Sequence, residues 1–193
     1  MGLDMYLYRE TFVKNWNHTP AKNKHKVTVL RGGKPRKDID PDKIATVSEE
    51  VAYWRKANAI HRWFVKKCYG GSYDEYDGGR LYVSREDLEN LRRTIIKVVA
   101  HSKLVDGKIY NGITYKADGT VEEEYVDGKI IENPELAQQL LPTQDGFFFG
   151  PTDYDQYYID DLVYTKNKLD EILDYHEADN YSIDQDYYYE ASW

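Results

Sequence analysis

Apolar and polar side chains alternate along the first ten residues of the chain. Leu3, Met5 and Leu7 fall on one face of an extended chain, and Asp4 and Tyr6 fall on the other. This period of two predicts a β-strand over residues 3–9. A strand that begins so near the N-terminus usually pairs within a sheet, so we expect this one to belong to the main sheet.

Residues 46–68 carry the pattern of one long amphipathic helix. Thr46 and Glu49 match a capping box at its start, Ser48 is an alternative cap, and the glycine pair at 70–71 would end it. At about 100° per residue, the helix presents one apolar arc. The arc consists of Tyr53, Trp54, Ala57, Ile60, His61, Phe64, Val65 and Cys68, with Asn58 at its edge and Arg55, Arg62 and Lys66 in the adjacent sector.

The middle of the chain alternates between helical and strand periods. A short strand is predicted over residues 81–83, and Ser84 then caps a second helix that runs to about Lys103. Three Asn-Gly or Asp-Gly dipeptides punctuate residues 107–132, which predicts a β-meander or hairpin set. Asn133-Pro134 predicts the start of a short helix that ends near Leu141.

Three consecutive phenylalanines between Gly146 and Gly150 predict a central strand that is covered on both faces. Thr152 and Asp155 predict the cap of a last long helix. Its inner stripe is predicted to hold Tyr158, Leu162, Thr165, Leu169, Ile172 and His176. After an acidic segment at 177–186, which we expect to be loosely ordered, residues 187–193 predict a terminal strand.

This order of elements indicates an α+β fold with a mixed or mostly antiparallel sheet. We expect two to three helices to pack on that sheet, with hairpin excursions. No repeat or linker divides the chain. We therefore expect residues 1–193 to form a single domain, with peripheral hairpin segments at 18–40 and 105–132.

Composition and charge narrow the class of protein. The 19 tyrosines and 4 tryptophans suggest half-buried surfaces or a ligand-contacting face, because these side chains combine a large apolar area with a polar tip. A single cysteine, Cys68, excludes an internal disulfide. No apolar run is long enough to span a bilayer and no signal peptide is apparent, so we expect an intracellular protein without a membrane partner.

The charge is unevenly distributed along the chain. Residues 1–67 hold 15 Lys and Arg against 7 Asp and Glu, whereas residues 152–193 hold 2 against 12. A basic N-terminal third is suited to a phosphate-bearing ligand even though the net charge is −8.

Sequence signatures of catalysis and of cofactor binding are missing. The chain contains neither the glycine patterns of dinucleotide and P-loop sites nor a nucleophile elbow or a zincin helix. The carboxylate pairs Asp153-Asp155 and Asp184-Asp186 are better explained by helix capping and a solvated tail than by a metal site. We therefore expect no cofactor and no metal. If the protein is an enzyme, His61 is the candidate general acid or base.

The candidate site is the mixed sector of the predicted helix. Arg55 and Arg62 offer planar groups for phosphate. Trp54 offers a stacking face, worth about 1–3 kcal/mol per base in nucleic-acid binders. Asn58 and His61 offer hydrogen bonds to a base or ribose. Facing elements would add Tyr6, Thr143 and Phe148.

Three motifs give the chain a resemblance to a family of small bacteriophage proteins of unassigned activity. They are MGLDMYL at residues 1–7, YWRKANAIH at 53–61, and LLPT at 140–143 followed by GFFFG at 146–150. The resemblance implies an accessory protein that acts in the cytoplasm of an infected bacterium. Some accessory phage proteins counter host defence by sequestering nucleotide second messengers, so the resemblance favours a ligand-sequestering role.

These observations lead to a ranked set of hypotheses. The first is a binding protein that sequesters a nucleotide-derived anionic small molecule, rather than a nucleic acid, and thereby counteracts bacterial immunity. The second is a hydrolase that cleaves such a nucleotide with His61. The third is an inhibitor that uses its acidic C-terminal quarter, including residues 177–193, to bind a host protein. Each hypothesis leaves a homo-oligomer open.

Overall fold

The computed structural model describes residues 2–174 and 184–193 of the chain. Eight strands and four α-helices make up the described part, which confirms the predicted α+β class. The strands are β1 (Asp4–Phe12), β2 (Leu30–Arg31), β3 (Lys34–Pro35), β4 (Thr46–Arg55), β5 (Leu81–Val83), β6 (Leu104–Tyr115), β7 (Val121–Ile131) and β8 (Gln185–Ser192). The helices are α1 (Asn58–Cys68), α2 (Arg85–His101), α3 (Glu135–Leu140) and α4 (Gln156–Asp174).

The main sheet has four antiparallel strands in the order β4-β1-β8-β5. The two strands from the ends of the chain therefore lie side by side at its centre, with Leu7 opposite Tyr189. The predictions of an N-terminal strand and of a terminal strand are confirmed. Met5 and Leu7 of β1 and Tyr187, Tyr189 and Ala191 of β8 are buried, and the residues between them are not, because only one face of the sheet is covered by helices.

The hydrophobic core lies between that face and helices α1, α2 and α4. It joins inward side chains of the strands to the inner stripes of the helices, as the amphipathic period requires. Ser84 forms a capping box with Asp87 at the start of α2, which confirms the predicted cap. The described part of the inner stripe of α4 is also buried as predicted. His176 and residues 177–183 of the predicted acidic segment lie outside the described residues.

The prediction of one helix over residues 46–68 is wrong in its first half. Residues Thr46–Arg55 form an edge strand that pairs with β1, and the helix begins only at Asn58. Alternation of Ala52 and Trp54 inward with Tyr53 and Arg55 outward fits a strand as well as a helix over so short a stretch. Pairing with β1, a long-range interaction, decides in favour of the strand.

Residues Leu104–Ile131 form one long antiparallel hairpin, β6–β7, so a hairpin within residues 105–132 is confirmed. Of the three Asn-Gly and Asp-Gly dipeptides expected to make turns, only Asp118-Gly119 lies in the turn that connects the two strands. Gly107 and Gly128 instead face each other across the hairpin, where an added Cβ would lie 2.7 Å from Ile130 and 2.6 Å from Ile109, respectively. The absence of a side chain at these positions lets the isoleucines lie over the strands.

The hairpin predicted at 18–40 is much smaller, since β2 and β3 have two residues each. In it, Leu30 pairs with Pro35 and Arg31 pairs with Lys34. The short helix predicted after Asn133-Pro134 is confirmed as α3. In the described part of the chain, no helix is long and apolar enough to cross a membrane.

The Gly-Phe-Phe-Phe-Gly segment is a turn, and the prediction of a buried central strand is wrong there. Phe147 is 96% exposed and only Phe149 is buried. The Phe149 N–H donates to the Gly146 carbonyl at 2.9 Å, and Gly150 has a φ of 86°, a value that favours glycine. The flanking glycines therefore permit a tight reversal rather than bounding a strand.

The start of α4 also differs from its prediction. Asp155, immediately before the helix, accepts a hydrogen bond from the Tyr158 N–H through Oδ1 at 3.1 Å. Thr152 lies three residues upstream and does not cap the helix. This hydrogen bond holds the Asp155 side chain at the N-terminal end of α4.

Candidate functional site

A cavity of about 520 Å³ opens where β4 turns into α1. Its walls come from the end of β4, the first turn of α1, the middle of β6 and the start of α4. The charged and aromatic side chains that line it are Arg55, Lys56, Tyr110, Asp153, Asp155, Tyr157, Tyr158 and Asp161. The cavity thus lies between separate elements of the fold, which is where ligand sites are commonly found.

Lys56 makes the turn between strand and helix in a left-handed conformation, with a φ of 61°. Its N–H donates to the Leu3 carbonyl at 2.8 Å, and its carbonyl accepts from the Asn58 N–H at 2.8 Å. A lysine in this region costs about 1–3 kcal/mol, and such residues cluster at functional sites. Gly2 and Gly150 leave room for its side chain, because an added Cβ would lie 3.3 and 3.2 Å from it, respectively.

The two cations at the cavity, Arg55 and Lys56, are exposed. Within residues 2–174 and 184–193, neither has a carboxylate within ion-pairing distance. They flank the N-terminus of α1, which no side chain caps. Backbone N–H groups at such a helix start favour negative charge. This side of the cavity is therefore suited to an anionic group.

The start of α4 contributes two carboxyl groups to the cavity, Asp155 and Asp161, and the preceding segment contributes a third, Asp153. Asp155 is only 2% exposed, and its Oδ2 has no hydrogen-bond partner among the described residues. Burial raises the pKa of Asp155, and burial together with the charges of Asp160 and Asp155 raises the pKa of Asp161 to about 7. At neutral pH, Asp161 is thus able both to donate and to accept a hydrogen bond.

Asn58 lines the cavity, but its side chain is already used by the protein. Its amide donates to the carbonyls of Phe149 at 3.1 Å and Pro151 at 2.8 Å, and its Oδ1 accepts from the Gln144 N–H at 3.2 Å. These three bonds hold the segment after α3 against α1. Asn58 therefore shapes the cavity wall rather than offering free groups to a base or ribose.

Trp54 and His61 belong to the core. Trp54 is 3% exposed and donates from Nε1 to Thr165 Oγ1 at 2.8 Å. His61 is 1% exposed, and its Nδ1 lies 2.7 Å from the Tyr189 hydroxyl. Burial lowers the pKa of His61 to about 4, so the ring is neutral at pH 7. Neither side chain lines the cavity, and Trp54 has no free face on which a base could stack.

Arg62 lies on a different side of α1 from the cavity. Its guanidinium donates to Gln144 Oε1, and its Nε is buried without a hydrogen-bond partner among the described residues. It borders a smaller pocket of about 200 Å³, together with Trp63 and Leu140. The two arginines that were predicted to act together, Arg55 and Arg62, therefore serve separate surfaces.

The three residues expected from facing elements lie at three different places in the structure. Thr143 lines the cavity and donates from Oγ1 to the Thr152 carbonyl at 3.0 Å. Phe148 lines a neighbouring depression, and its carbonyl accepts from the Leu3 N–H at 3.0 Å. Tyr6 lies on the outer face of the sheet, with its ring 5.3 Å from that of Tyr53. The cavity thus gathers Arg55, Asn58 and Thr143 from the predicted set.

Three residues that line the cavity were not predicted from the sequence as ligand groups, namely Lys56, Asp155 and Asp161. A signal existed for Asp161, because it directly precedes Leu162 of the buried stripe of α4 and so lies beside the core. No local pattern identifies Lys56, because lysine has no preference for left-handed turns.

In the part of the chain that the structure describes, no group of three or more His, Cys, Asp or Glu side chains is placed to hold a metal ion. Burial also raises the pKa of the Cys68 thiol, which disfavours its reactive thiolate form.

Comparison of the chain with protein-family models, curated proteins and solved structures finds no significant match.

Proposed function

We propose that this protein binds a small nucleotide-derived anion in the cavity between β4, α1 and α4, and holds it without cleaving it. The observation that carries the proposal is the division of the cavity into a cationic side and a carboxyl side. Arg55 and Lys56 are unpaired within the described residues, and Asp155, which lines the cavity from the start of α4, has a buried oxygen without a partner there. The volume falls within the roughly 300–1,000 Å³ of typical ligand pockets.

Each side suits a different part of a nucleotide. A phosphate would bind Arg55, Lys56 and the N-terminus of α1, because charge-assisted bonds and the helix dipole add there. Base or ribose donors would bind Asp155 and Asp161. Tyr110 and Tyr157 line the same cavity and offer rings for stacking. A base or ribose would bring N–H or O–H donors to the Asp155 oxygen, which favours a nucleotide over an anion that has no such groups.

The resemblance to bacteriophage proteins supplies the biological part of the proposal. An accessory protein that sequesters a second messenger of host defence in the cytoplasm of an infected bacterium needs a tight site and no catalysis. The burial of His61 away from the cavity supports this role over hydrolysis by that histidine.

Calorimetric titration with a panel of adenine-containing second messengers tests the proposal. We expect the wild type to bind at least one member and Arg55→Ala to bind it about 10-fold more weakly or worse, since a hydrogen bond to a charged group contributes about 1.5–3 kcal/mol. Arg31→Ala, which removes an exposed cation from the small β2–β3 hairpin, is the matched control and should bind like the wild type. Lack of binding across the panel would contradict the proposal.

One observation favours a hydrolase as the second candidate. Asp161 has a pKa of about 7 and lines the cavity, as a general acid for phosphodiester or glycosidic cleavage would. The ligand recovered after heat denaturation of the complex distinguishes the two functions. Intact ligand supports sequestration, whereas cleaved product supports catalysis and should then be lost in Asp161→Asn.

A further inference from the structure

The outer face of the main sheet is covered with tyrosines rather than with a helix. The helices pack on the inward face, where Trp54 meets Thr165 of α4 and Phe64 of α1 stacks on Tyr189. Five tyrosines point the other way from all four strands of the sheet and are exposed or half-buried. These residues, here named the tyrosine face, are Tyr6, Tyr8, Tyr53, Tyr82 and Tyr188.

One arginine already lies on the tyrosine face, and its contacts show how the face holds a guanidinium. The Arg80 guanidinium carbon lies 4.2 Å from the ring centre of Tyr188 and 5.9 Å from that of Tyr8. Its Nη2 lies 2.7 Å from Oε1 of Glu10. Two rings and one carboxylate thus bind one cation, which is the combination expected of a cation–π site.

The β4 side of the face has the same kinds of ring and carboxylate, and no cation from the described residues binds there. The Tyr6 ring lies 5.3 Å from Tyr53 and 6.1 Å from Tyr8. Glu190 is the strand neighbour of Tyr6, and Glu50 is the strand neighbour of Tyr8. Burial and the charges of both glutamates raise the pKa of the Tyr8 hydroxyl.

These two glutamates are available to a partner. Across the described ranges 2–174 and 184–193, neither Glu50 nor Glu190 takes part in an ion pair or a side-chain hydrogen bond. By contrast, Glu10 is paired with Arg80, and Asp4 accepts a hydrogen bond from the Tyr53 hydroxyl at 2.5 Å. The face therefore has two clusters of rings and carboxylates. One binds Arg80, and the other binds no cation from the described residues.

We propose that the tyrosine face binds an arginine-rich segment of a partner polypeptide. One arginine of that segment would lie over Tyr6 and Tyr8 and pair with Glu50 and Glu190, as Arg80 does with its own rings and carboxylate. Charge complementarity favours this occupant. The outward charged residues of the four strands and the adjoining Arg80 comprise five carboxylates and two arginines, namely Asp4, Glu10, Glu50, Asp186 and Glu190 with Arg55 and Arg80. A nucleic-acid strand would also stack on tyrosines, but its phosphates would be repelled by these carboxylates.

Fluorescence anisotropy with a labelled octa-arginine peptide tests the proposal in the full-length protein. We expect Glu50→Gln/Glu190→Gln to weaken binding at least 10-fold. The matched control is Glu122→Gln/Asp127→Asn, which removes the same charge from the exposed side of β7 and should bind like the wild type. Equal weakening in both variants would show a nonspecific charge effect and overturn the proposal, as would failure of the wild type to bind the peptide.

Two further measurements sharpen the test. One distinguishes loss of the tyrosine ring from loss of folding, and the other compares the peptide with a nucleic acid. Tyr8→Phe keeps the ring and should retain binding, whereas Tyr8→Leu removes it and should weaken binding several-fold at an unchanged thermal unfolding temperature. Equal binding by these two variants would overturn the stacking role. A labelled oligothymidine should bind more weakly than octa-arginine, and tighter binding of the oligonucleotide would instead identify the face as a single-strand platform.

Discussion

The indole N–H of Trp54 donates a hydrogen bond to the hydroxyl of Thr165, with 2.8 Å between Nε1 and Oγ1. Both side chains are buried, Thr165 fully. The same hydroxyl donates to the Asp161 carbonyl at 2.6 Å, so it both accepts and donates. Edge strand β4 is thereby joined to the middle of α4, and the cavity that both elements line depends on this contact.

Replacing Thr165 by Val should destabilise the protein. Valine has nearly the same shape but leaves the buried Trp54 N–H unsatisfied, which costs about 1–3 kcal/mol. For a chain of this length, we expect the unfolding temperature to fall by about 2–4 °C for each kcal/mol. Differential scanning calorimetry measures it. Thr165→Ser keeps the hydroxyl and should lose less stability, and the reverse order would contradict the role given to this bond.

Replacing Lys56 by Gly should separate stability from ligand binding. Glycine adopts the left-handed φ of 61° without strain, so we expect the free energy of unfolding to stay the same or rise by up to about 1 kcal/mol. Loss of the cation should nevertheless weaken binding of any nucleotide that the wild type binds. Lys56→Ala is the control, since it removes the cation but keeps the Cβ, and it should weaken binding without any gain in stability. Urea unfolding and calorimetric titration measure the two effects.

Local patterns identified the central strands because those patterns and the tertiary structure agree. The alternation around Met5 and the tyrosine run around Tyr189 each fit a strand with one buried face, and each is found there. Residues Thr46–Arg55 were misassigned because a matching capping box and a helix-like arc of aromatics are short-range signals. Pairing with a strand some 40 residues away overrides them.

The candidate site was only partly predictable for a related reason. Arg55, Asn58 and Thr143 reach the cavity, but Trp54 and Arg62 would join them only if residues 46–68 formed one continuous helix. The break at Lys56 turns Trp54 into the core and separates the two arginines. The position of Asp161 beside Leu162 places it next to the core, but the sequence does not show that a cavity lies there, since β4, α1 and β6 form its other walls.

Buried His61 and half-buried Asp161 should have opposite effects on stability between pH 7 and 5. The pKa of His61 is lowered to about 4 in the folded protein, below an unfolded value near 6.5. The unfolded state therefore binds more protons as the pH falls, and stability is lost. The pKa of Asp161 is raised to about 7, above an unfolded value near 3.8. The folded state then binds more protons as the pH falls, and stability is gained.

Each of these effects amounts to about 2 kcal/mol from pH 7 to pH 5, so in the wild type they should largely cancel. Asp161→Asn should expose the loss caused by His61, and His61→Gln should expose the gain caused by Asp161. Urea unfolding at the two pH values measures the free energy of unfolding of each variant. A pH dependence equal to that of the wild type in both variants would contradict the assigned pKa shifts.

Replacing Asp155 by Asn should change which nucleotide the cavity prefers. Asparagine keeps an oxygen that can accept from the Tyr158 N–H, so α4 should still begin normally. At the position of the unsatisfied Oδ2, however, an amide donor replaces an acceptor. A ligand amino group that donates to that oxygen would then meet another donor, whereas a ligand carbonyl would gain a partner. We expect affinity for an adenine nucleotide to fall about 10-fold, and affinity for the hypoxanthine nucleotide with the same phosphate group to hold or rise.

Calorimetric titration of both nucleotides against wild type and variant measures this change in preference. Arg55→Ala is the comparison variant, because loss of a phosphate contact should weaken both nucleotides equally. A parallel loss of both nucleotides in Asp155→Asn would show that Asp155 does not contact the base.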